Sequence, residues 1–296
     1  MHYPYFEPFF LSLPFRSQQK RVVTVHDLTP FVFKEHFPAG LKGKLRWQLQ
    51  KYLLGKSEEV ITDSECSKRD IIRFTNIPEE KINVVYLSAG EEFKRIKNQE
   101  SRIKKIKRKY KLPEKFVLYV GDVTWNKNLP RLLEAATKAN TKLVIVGKAI
   151  IDKNFDKNNP WNQDLVKVQK YIALHDNILA LGFVSSEELV LIYNMATLFC
   201  MPSLYEGFGL PILEAMRCGC PTISTKEGSL PEIGGEAVMY VDAYDSESIA
   251  KGIKKLIENP SLQEYLRQKG YEQSALFTWE KTSKDTIRVY EKIAAK

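Results

Sequence analysis

Cysteine is scarce, with four in 296 residues. That is too few to staple a chain of this length, so a disulfide framework is excluded and a reducing cytoplasm is the expected setting. Cys218 and Cys220 lie close together but have no second pair to complete a zinc site, and they read as small packing residues. No run approaches the roughly 20 apolar residues that span a bilayer. The aromatic start, Met1 to Phe15, is broken by Pro4, Pro8 and Pro14 and has no basic leader, which makes it a poor secretory signal. Zinc-finger spacing, RNP-like aromatic motifs and a helix-turn-helix pattern are all missing, so no nucleic-acid partner is expected. No internal repeat is evident.

What remains is an ordinary globular composition, 44% hydrophobic and 27% charged. The length allows two modest domains or one large one. The net charge of +9 is unevenly spread: Lys94 to Lys111 holds ten basic residues against Glu100 alone. Ile103, Ile106 and Tyr110 recur there at helical spacing, which predicts an amphipathic helix with a basic outer face. Such a face is either simply solvated or drawn to an anionic membrane surface.

From Phe116 onward, short apolar runs alternate with helical patterns. The runs are Phe116–Val120, Leu143–Val146, Ile178–Leu181, Leu198–Met201, Thr222–Ser224 and Val238–Val241. Between them lie helical segments at Leu129–Ala139, Leu165–Leu174, Glu187–Ala196, Ile212–Cys218 and Ser246–Ile257. This grammar predicts a doubly wound α/β fold with a parallel sheet covered on both faces. Ligands then bind at the carboxyl ends of the strands, in the loops after Val120, Val146, Leu181 and Met201.

The first portion has the same grammar with fewer strands: Arg21–Val25, Val60–Thr62 and Ile82–Tyr86, with helices at Lys44–Leu54 and Ser67–Phe74. A buried parallel strand such as Val22–Val25 needs neighbours on both sides. The expectation is therefore an incomplete first domain whose earlier strands are missing from this chain. A last helix, Glu280–Ile293, follows Thr278 as its N-cap.

The most specific segment is Tyr205-Glu206-Gly207-Phe208-Gly209-Leu210-Pro211-Ile212-Leu213-Glu214-Ala215-Met216. It follows a strand and opens a helix, with Pro211 in the first turn. A helix N-terminus offers unpaired N–H groups and a positive dipole end, suited to a diphosphate. Gly207 and Gly209 let the backbone approach a ligand. Glu206 and Glu214 can both face one cleft, and ionised carboxylates accept hydrogen bonds from sugar or ribose hydroxyls.

This segment resembles the glutamate–seven residues–glutamate motif of the family-four retaining glycosyltransferases, which have the GT-B fold. Tyr119-Val120-Gly121 with Lys127-Asn128 resembles the first strand and phosphate loop of that family's donor domain. Leu181-Gly182-Phe183-Val184 resembles the strand end beside its nucleobase pocket. Phe277-Thr278-Trp279-Glu280 resembles the start of its crossing-back helix, and Val25-His26-Asp27 its histidine-bearing strand end. Within the family the pattern is most similar to mannosyltransferase-B-like enzymes that build polysaccharide.

The resemblance implies two Rossmann-like domains. Residues 1–95 would form a partial acceptor-side domain, 96–114 a basic linker helix, 115–276 the nucleotide-sugar-binding domain and 277–296 a helix crossing back. Lys127 would bind the donor diphosphate and stabilise its charge, and Glu206 would hold the transferred sugar with the amides around Gly207, Phe208, Gly209 and Leu210. Glu214 would bind the ribose, the backbone at Val184 the base, and Gly121 and Asn128 would line the donor site. His26 would reach the sugar or acceptor.

The reaction implied is hexosyl transfer, mannose favoured, from a nucleotide-diphosphate sugar to a glycan or lipid-linked acceptor, with no metal or other cofactor. Its expected place is the cytoplasm, peripheral at the inner membrane face. One departure from the family is Asp122, where many members have a basic residue; a carboxylate there repels phosphate at short range unless it points away or Thr124 and Asn126 compensate. The rival readings are a donor-binding module or half of a split enzyme, a nucleotide-sugar 2-epimerase, and a basic nucleic-acid binder.

Overall fold

The computed structural model describes residues 1–16 and 18–295. The chain divides into two compact units. The first comprises Met1–Ser88, Glu206–Phe208 and the chain from Phe277 onward; the second comprises Ala89–Tyr205 and Gly209–Leu276.

The first unit is built on a four-stranded sheet of β1 (His2–Tyr3), β2 (Val22–Thr24), β3 (Glu59–Thr62) and β4 (Ile82–Val84), in that spatial order. All neighbouring pairs are parallel. One face packs Val23, Val25, Leu54, Val60 and Ile71 into a core closed by Phe31 stacked on Trp47 at 4.1 Å. The other face buries Val22, Ile61 and Val85 beneath Val289 and Ile293, one turn apart on the last helix, Trp279–Ala294. Thr278 caps that helix by accepting from the Lys281 amide, as the sequence predicts.

The expectation that β2 lacks a neighbour is corrected by β1. His2 and Tyr3 pair with Val22 and Val23, and β3 flanks the other side. Two residues followed at once by Pro4 present no alternating or apolar run, so no periodicity announces this strand.

The second unit carries six parallel strands: β5 (Val117–Val120), β6 (Leu143–Val146), β7 (Ile178–Gly182), β8 (Leu198–Met201), β9 (Thr222–Thr225) and β10 (Val238–Val241). Their order is β10-β9-β8-β5-β6-β7. The interior strands β6 and β8 are buried at every position, while the edge strands β7 and β10 are only partly covered. That is why the interior strands read as unbroken apolar runs. The order turns back between β5 and β8, which makes this the topological switch point of the sheet.

Each helix expected in this unit is present, with ends displaced by a residue or two. A further helix, Pro260–Ser274, was not anticipated. It buries only Leu266, Gly270 and Ser274, a thin stripe of mostly small side chains that gives little apolar period. The basic stretch is helical only over Glu100–Tyr110 and belongs to the second unit. Its Ile106 is buried, and Lys109 and Tyr110 both bond Glu188. Among the described residues no helix is long and apolar enough to cross a membrane.

Candidate active site

The loops after β5 and β8 flank the switch point, and side chains tie them together. After β5 the chain passes Gly121, makes a short 3-10 turn at Trp125–Lys127, and enters the helix Leu129–Lys138 through Asn128, which is left-handed at φ 58°. Asn126 donates to the Tyr205 carbonyl at 3.0 Å, and its own carbonyl accepts from the Leu204 amide at 2.7 Å. Asn128 donates to the carbonyls of Pro202 (2.8 Å) and Ala243 (2.7 Å) and accepts from Arg131 at 2.8 Å. Lys127 therefore rides on a turn held at both neighbours. At the start of this loop a Cβ on Gly147 would lie 2.2 Å from the Gly121 carbonyl, so the ends of β5 and β6 approach as only glycine permits.

After β8 the chain reaches Gly209, left-handed at φ +100°, and turns into the helix Leu210–Arg217 with Pro211 in its first turn. The positive end of this helix thus opens at the carboxyl end of β8, beside the Lys127 loop. One turn on, Glu214 accepts from the hydroxyl of fully buried Tyr193 at 2.9 Å. Burial pushes the Glu214 carboxyl up to about 7, the Tyr193 hydrogen bond opposes this, and Glu92 adds like-charge repulsion. The sequence reading treated Glu214 as a plain ionised carboxylate. Glu214 instead titrates well above an ordinary glutamate.

The segment Glu206–Phe208 groups with the first unit. The Gly207 carbonyl accepts from two hydroxyls, Ser64 Oγ at 2.6 Å and Ser67 Oγ at 3.1 Å. Ser64 also caps the helix Glu65–Thr75 by accepting from the Ser67 amide. A Cβ on Gly207 would stand 2.5 Å from Asp27 Cβ, so this glycine is required for packing. Phe208 is buried edge-on against Phe277 and shapes the loop, as expected of it. Glu206 is 7% exposed.

The carboxyl ends of β2 and β3 meet here. His26 Nδ1 lies 2.7 Å from Asp63 Oδ2, and His26 Nε2 lies 3.1 Å from the Pro4 carbonyl. A carbonyl only accepts, so Nε2 carries a proton. Nδ1 and the Asp63 carboxyl share a proton, and burial raises the Asp63 pKa above its ordinary value. The Asp63 hydrogen bond raises the His26 pKa above its ordinary 6.5, against desolvation.

Four residues, Asn128, Val184, Thr124 and Asn126, are held by neighbours that the sequence does not reveal. Asn128 is 2% exposed and its side chain is fully engaged with protein groups, so it fixes the loop and is not free to touch a ligand. Val184 is buried, whereas its neighbour Phe183 is 73% exposed just past the end of β7 and presents an aromatic face there. The Thr124 hydroxyl donates to Asn126, so neither is available to offset Asp122, which is exposed. Among the candidates, Gly121, Lys127, Asn128, Val184, Gly209, Leu210 and Glu214 lie in the second unit, and His26, Glu206, Gly207 and Phe208 in the first.

Residues 100–273 match the glycosyl transferases group 1 family, and residues 1–88 match Glycosyltransferase Family 4. The chain belongs to the group 1 glycosyltransferases. It is 31% identical over 300 residues to O-antigen chain mannosyltransferase B of Escherichia coli, covering 98% of this chain and 74% of that protein. It is 28% identical over 275 residues to the serotype-specific mannosyltransferase WbdA of Escherichia coli, covering 93% of this chain but 34% of the relative. The chain thus spans about a third of WbdA's length. Among solved structures it is similar to the Anabaena protein HepE in complex with UDP and glucose, at TM-score 0.75 and 19% identity, over 94% of this chain and 72% of that one. The fold is GT-B, and the expected transferase is favoured over the rival donor-binding module.

In this glycosyltransferase the residues missed by sequence reasoning are the holders: Asp63, Ser64, Ser67 and Tyr193. A signal existed for two of them. Ser64 and Ser67 have the spacing of a helix cap following a strand. Nothing marks Asp63 or Tyr193, because their partners lie 37 and 21 residues away.

Proposed function

We propose that this group 1 glycosyltransferase transfers a hexosyl unit, mannose favoured, from a nucleotide-diphosphate sugar to a glycan or lipid-linked acceptor, with retention of configuration. The observation that carries the reading is the switch-point arrangement of the second unit. A helix N-terminus entered through Gly209 and a lysine-bearing turn are tied to each other at the carboxyl ends of β5 and β8. Helix termini and ammonium groups are the elements that stabilise a departing diphosphate.

In this reading Lys127 and the first amides of the helix Leu210–Arg217 take up the charge that develops on the leaving phosphate, without a metal ion. Glu214 accepts from the ribose hydroxyls, Phe183 offers a face to the base, and Glu206 holds the transferred sugar. His26 serves the sugar or acceptor with its ring fixed by Asp63. The mannosyl preference draws on the names of the relatives, and a nucleotide donor on the HepE complex with UDP and glucose. The four reduced, buried cysteines suit a reducing cytoplasm.

The test is transfer from a panel of nucleotide-diphosphate sugars, with the anomeric product identified by NMR and a chelator arm included. Acceptor-dependent release of nucleoside diphosphate and a retained anomeric centre, unchanged by chelator, are expected. An inverted product, or a sugar altered without any acceptor, would overturn the reading.

A further inference from the structure

In the second unit the helix Leu129–Lys138 is flanked by the helices Gln163–Leu174 and Ser246–Ile257. The first turns of all three line a cleft of about 470 Å³, within the size range of small-molecule sites. Its lining lies wholly in the second unit, and Lys127, Gly209 and Glu214 are not part of it. The proposed transfer chemistry makes no use of this space.

Two aromatic rings stand at the cleft. Tyr244 is 54% exposed, and Trp125 is half-buried on the turn that precedes the first helix. The Arg131 guanidinium lies 5.8 Å from the centre of the Tyr244 ring and donates to the Asn128 side chain at 2.8 Å, so its planar fork is held in place. Asp164 is only 7% exposed yet lines the cleft, and one of its carboxylate oxygens accepts from Lys167 at 3.0 Å. A carboxylate has about four lone-pair sites, so Asp164 keeps capacity for further hydrogen bonds. Fixing a guanidinium and burying a carboxylate both cost free energy that a merely solvated rim avoids.

The charges select among ligands. Arg131 and Lys167 stand against Glu134, Asp164 and Asp245, two cations against three carboxylates, so a phosphate or nucleotide gains no net attraction here. A neutral sugar matches every feature. Its hydroxyls donate to carboxylates and accept from guanidinium and ammonium groups, and its apolar ring face can lie on an aromatic side chain.

We propose that this cleft is a second glycan-binding site, holding a neutral stretch of polysaccharide outside the transfer site. Tyr244 and Trp125 supply the stacking faces, Arg131 donates to sugar hydroxyls, and Asp164 accepts from them. That the bound glycan is the acceptor chain rests on the proposed transfer reaction; the binding itself does not.

The test is native electrophoresis of the full chain in gels with and without dissolved mannan, followed by transfer assays with short and long mannan acceptors. Mannan should retard the wild type, and added nucleoside diphosphate should leave that retardation in place. Tyr244→Ala/Asp164→Asn removes one ring face and one charged acceptor and should weaken the interaction by about tenfold or more, with an unchanged thermal melt. Tyr244→Ala alone, at an exposed position, should weaken it in the same direction. In transfer, the double variant should raise KM for the long acceptor by about threefold or more and leave kcat and the short acceptor's KM as in the wild type. A wild type that runs alike with and without mannan overturns the proposal. So do variants retarded like the wild type, or a retardation abolished by nucleoside diphosphate. A retarded wild type that transfers no sugar defeats the transfer reading and leaves the glycan site standing.

Discussion

Donor binding should be switched by the protonation of Glu214. Its carboxyl is pushed up to about 7 by burial, so acidification below neutrality removes the charge that would accept from ribose hydroxyls. If only the ionised form binds productively, affinity should fall by about tenfold between about pH 8 and about pH 6, roughly 1.4 kcal/mol. The measurement is isothermal calorimetry with the intact nucleotide-diphosphate sugar, whose phosphodiesters do not titrate in this range. Glu214→Gln is the control: it should bind more weakly at the alkaline end and show a flat profile.

The same shift has a stability signature. A carboxyl whose folded value lies above its ordinary 4.5 contributes stability in full below 4.5 and loses it as pH rises through about 7. Relative to Glu214→Gln, the wild type without ligand should therefore lose about 3 kcal/mol across that window, read by denaturant unfolding at several pH values. A pH-independent wild-type affinity, or a decline that persists in Glu214→Gln, would refute the reasoning.

Lys127→Ala and Glu206→Ala should each lower turnover by about 10²–10³, the range for losing one preorganised charge-stabilising group, with circular dichroism unchanged; wild-type rates in a folded variant would defeat the assignment. Gly207→Ala places a Cβ 2.5 Å from Asp27 Cβ and should lower stability by about 1–3 kcal/mol, seen as a reduced thermal midpoint. Asp63→Asn removes the carboxylate whose charge-assisted hydrogen bond raises His26. Because a raised histidine stabilises the fold below its unfolded value and ceases to as pH climbs through its folded one, the wild type's advantage over Asp63→Asn should be widest in mild acid and narrow toward alkaline pH in chemical denaturation.

Much of the donor-side architecture was legible because backbone geometry restricts the residues that can stand there. Gly209 at φ +100° and Pro211 in the first turn mark a strand-to-helix corner that few other residues could make. The unbroken apolar runs of β6 and β8 reveal strands buried on both faces. Legibility failed where a residue's task is set by distant company. Ser64 reaches Gly207 across 143 positions, and no local pattern distinguishes it from any other helix-capping serine. β1 failed for the opposite reason, since two residues are too few to show a period.

Lys127 and Asn128 show why the holders matter as much as the residues they hold. They are neighbours in one turn, and the sequence suggests the same ligand-facing task for both. Yet the loop has no regular backbone ladder, and the carbonyls of Pro202 and Ala243 at its base must find donors once they are away from water. Asn128 meets that need with one amide group, at 2.8 and 2.7 Å. In the proposed reaction a fixed loop keeps the Lys127 ammonium where charge would develop, so little reorganisation is needed, and this is the condition under which electrostatic stabilisation is large. By that argument Asn128→Ala should reduce turnover through Lys127, and the loss should appear chiefly in kcat because the fixed ammonium acts on the developing charge of the transition state.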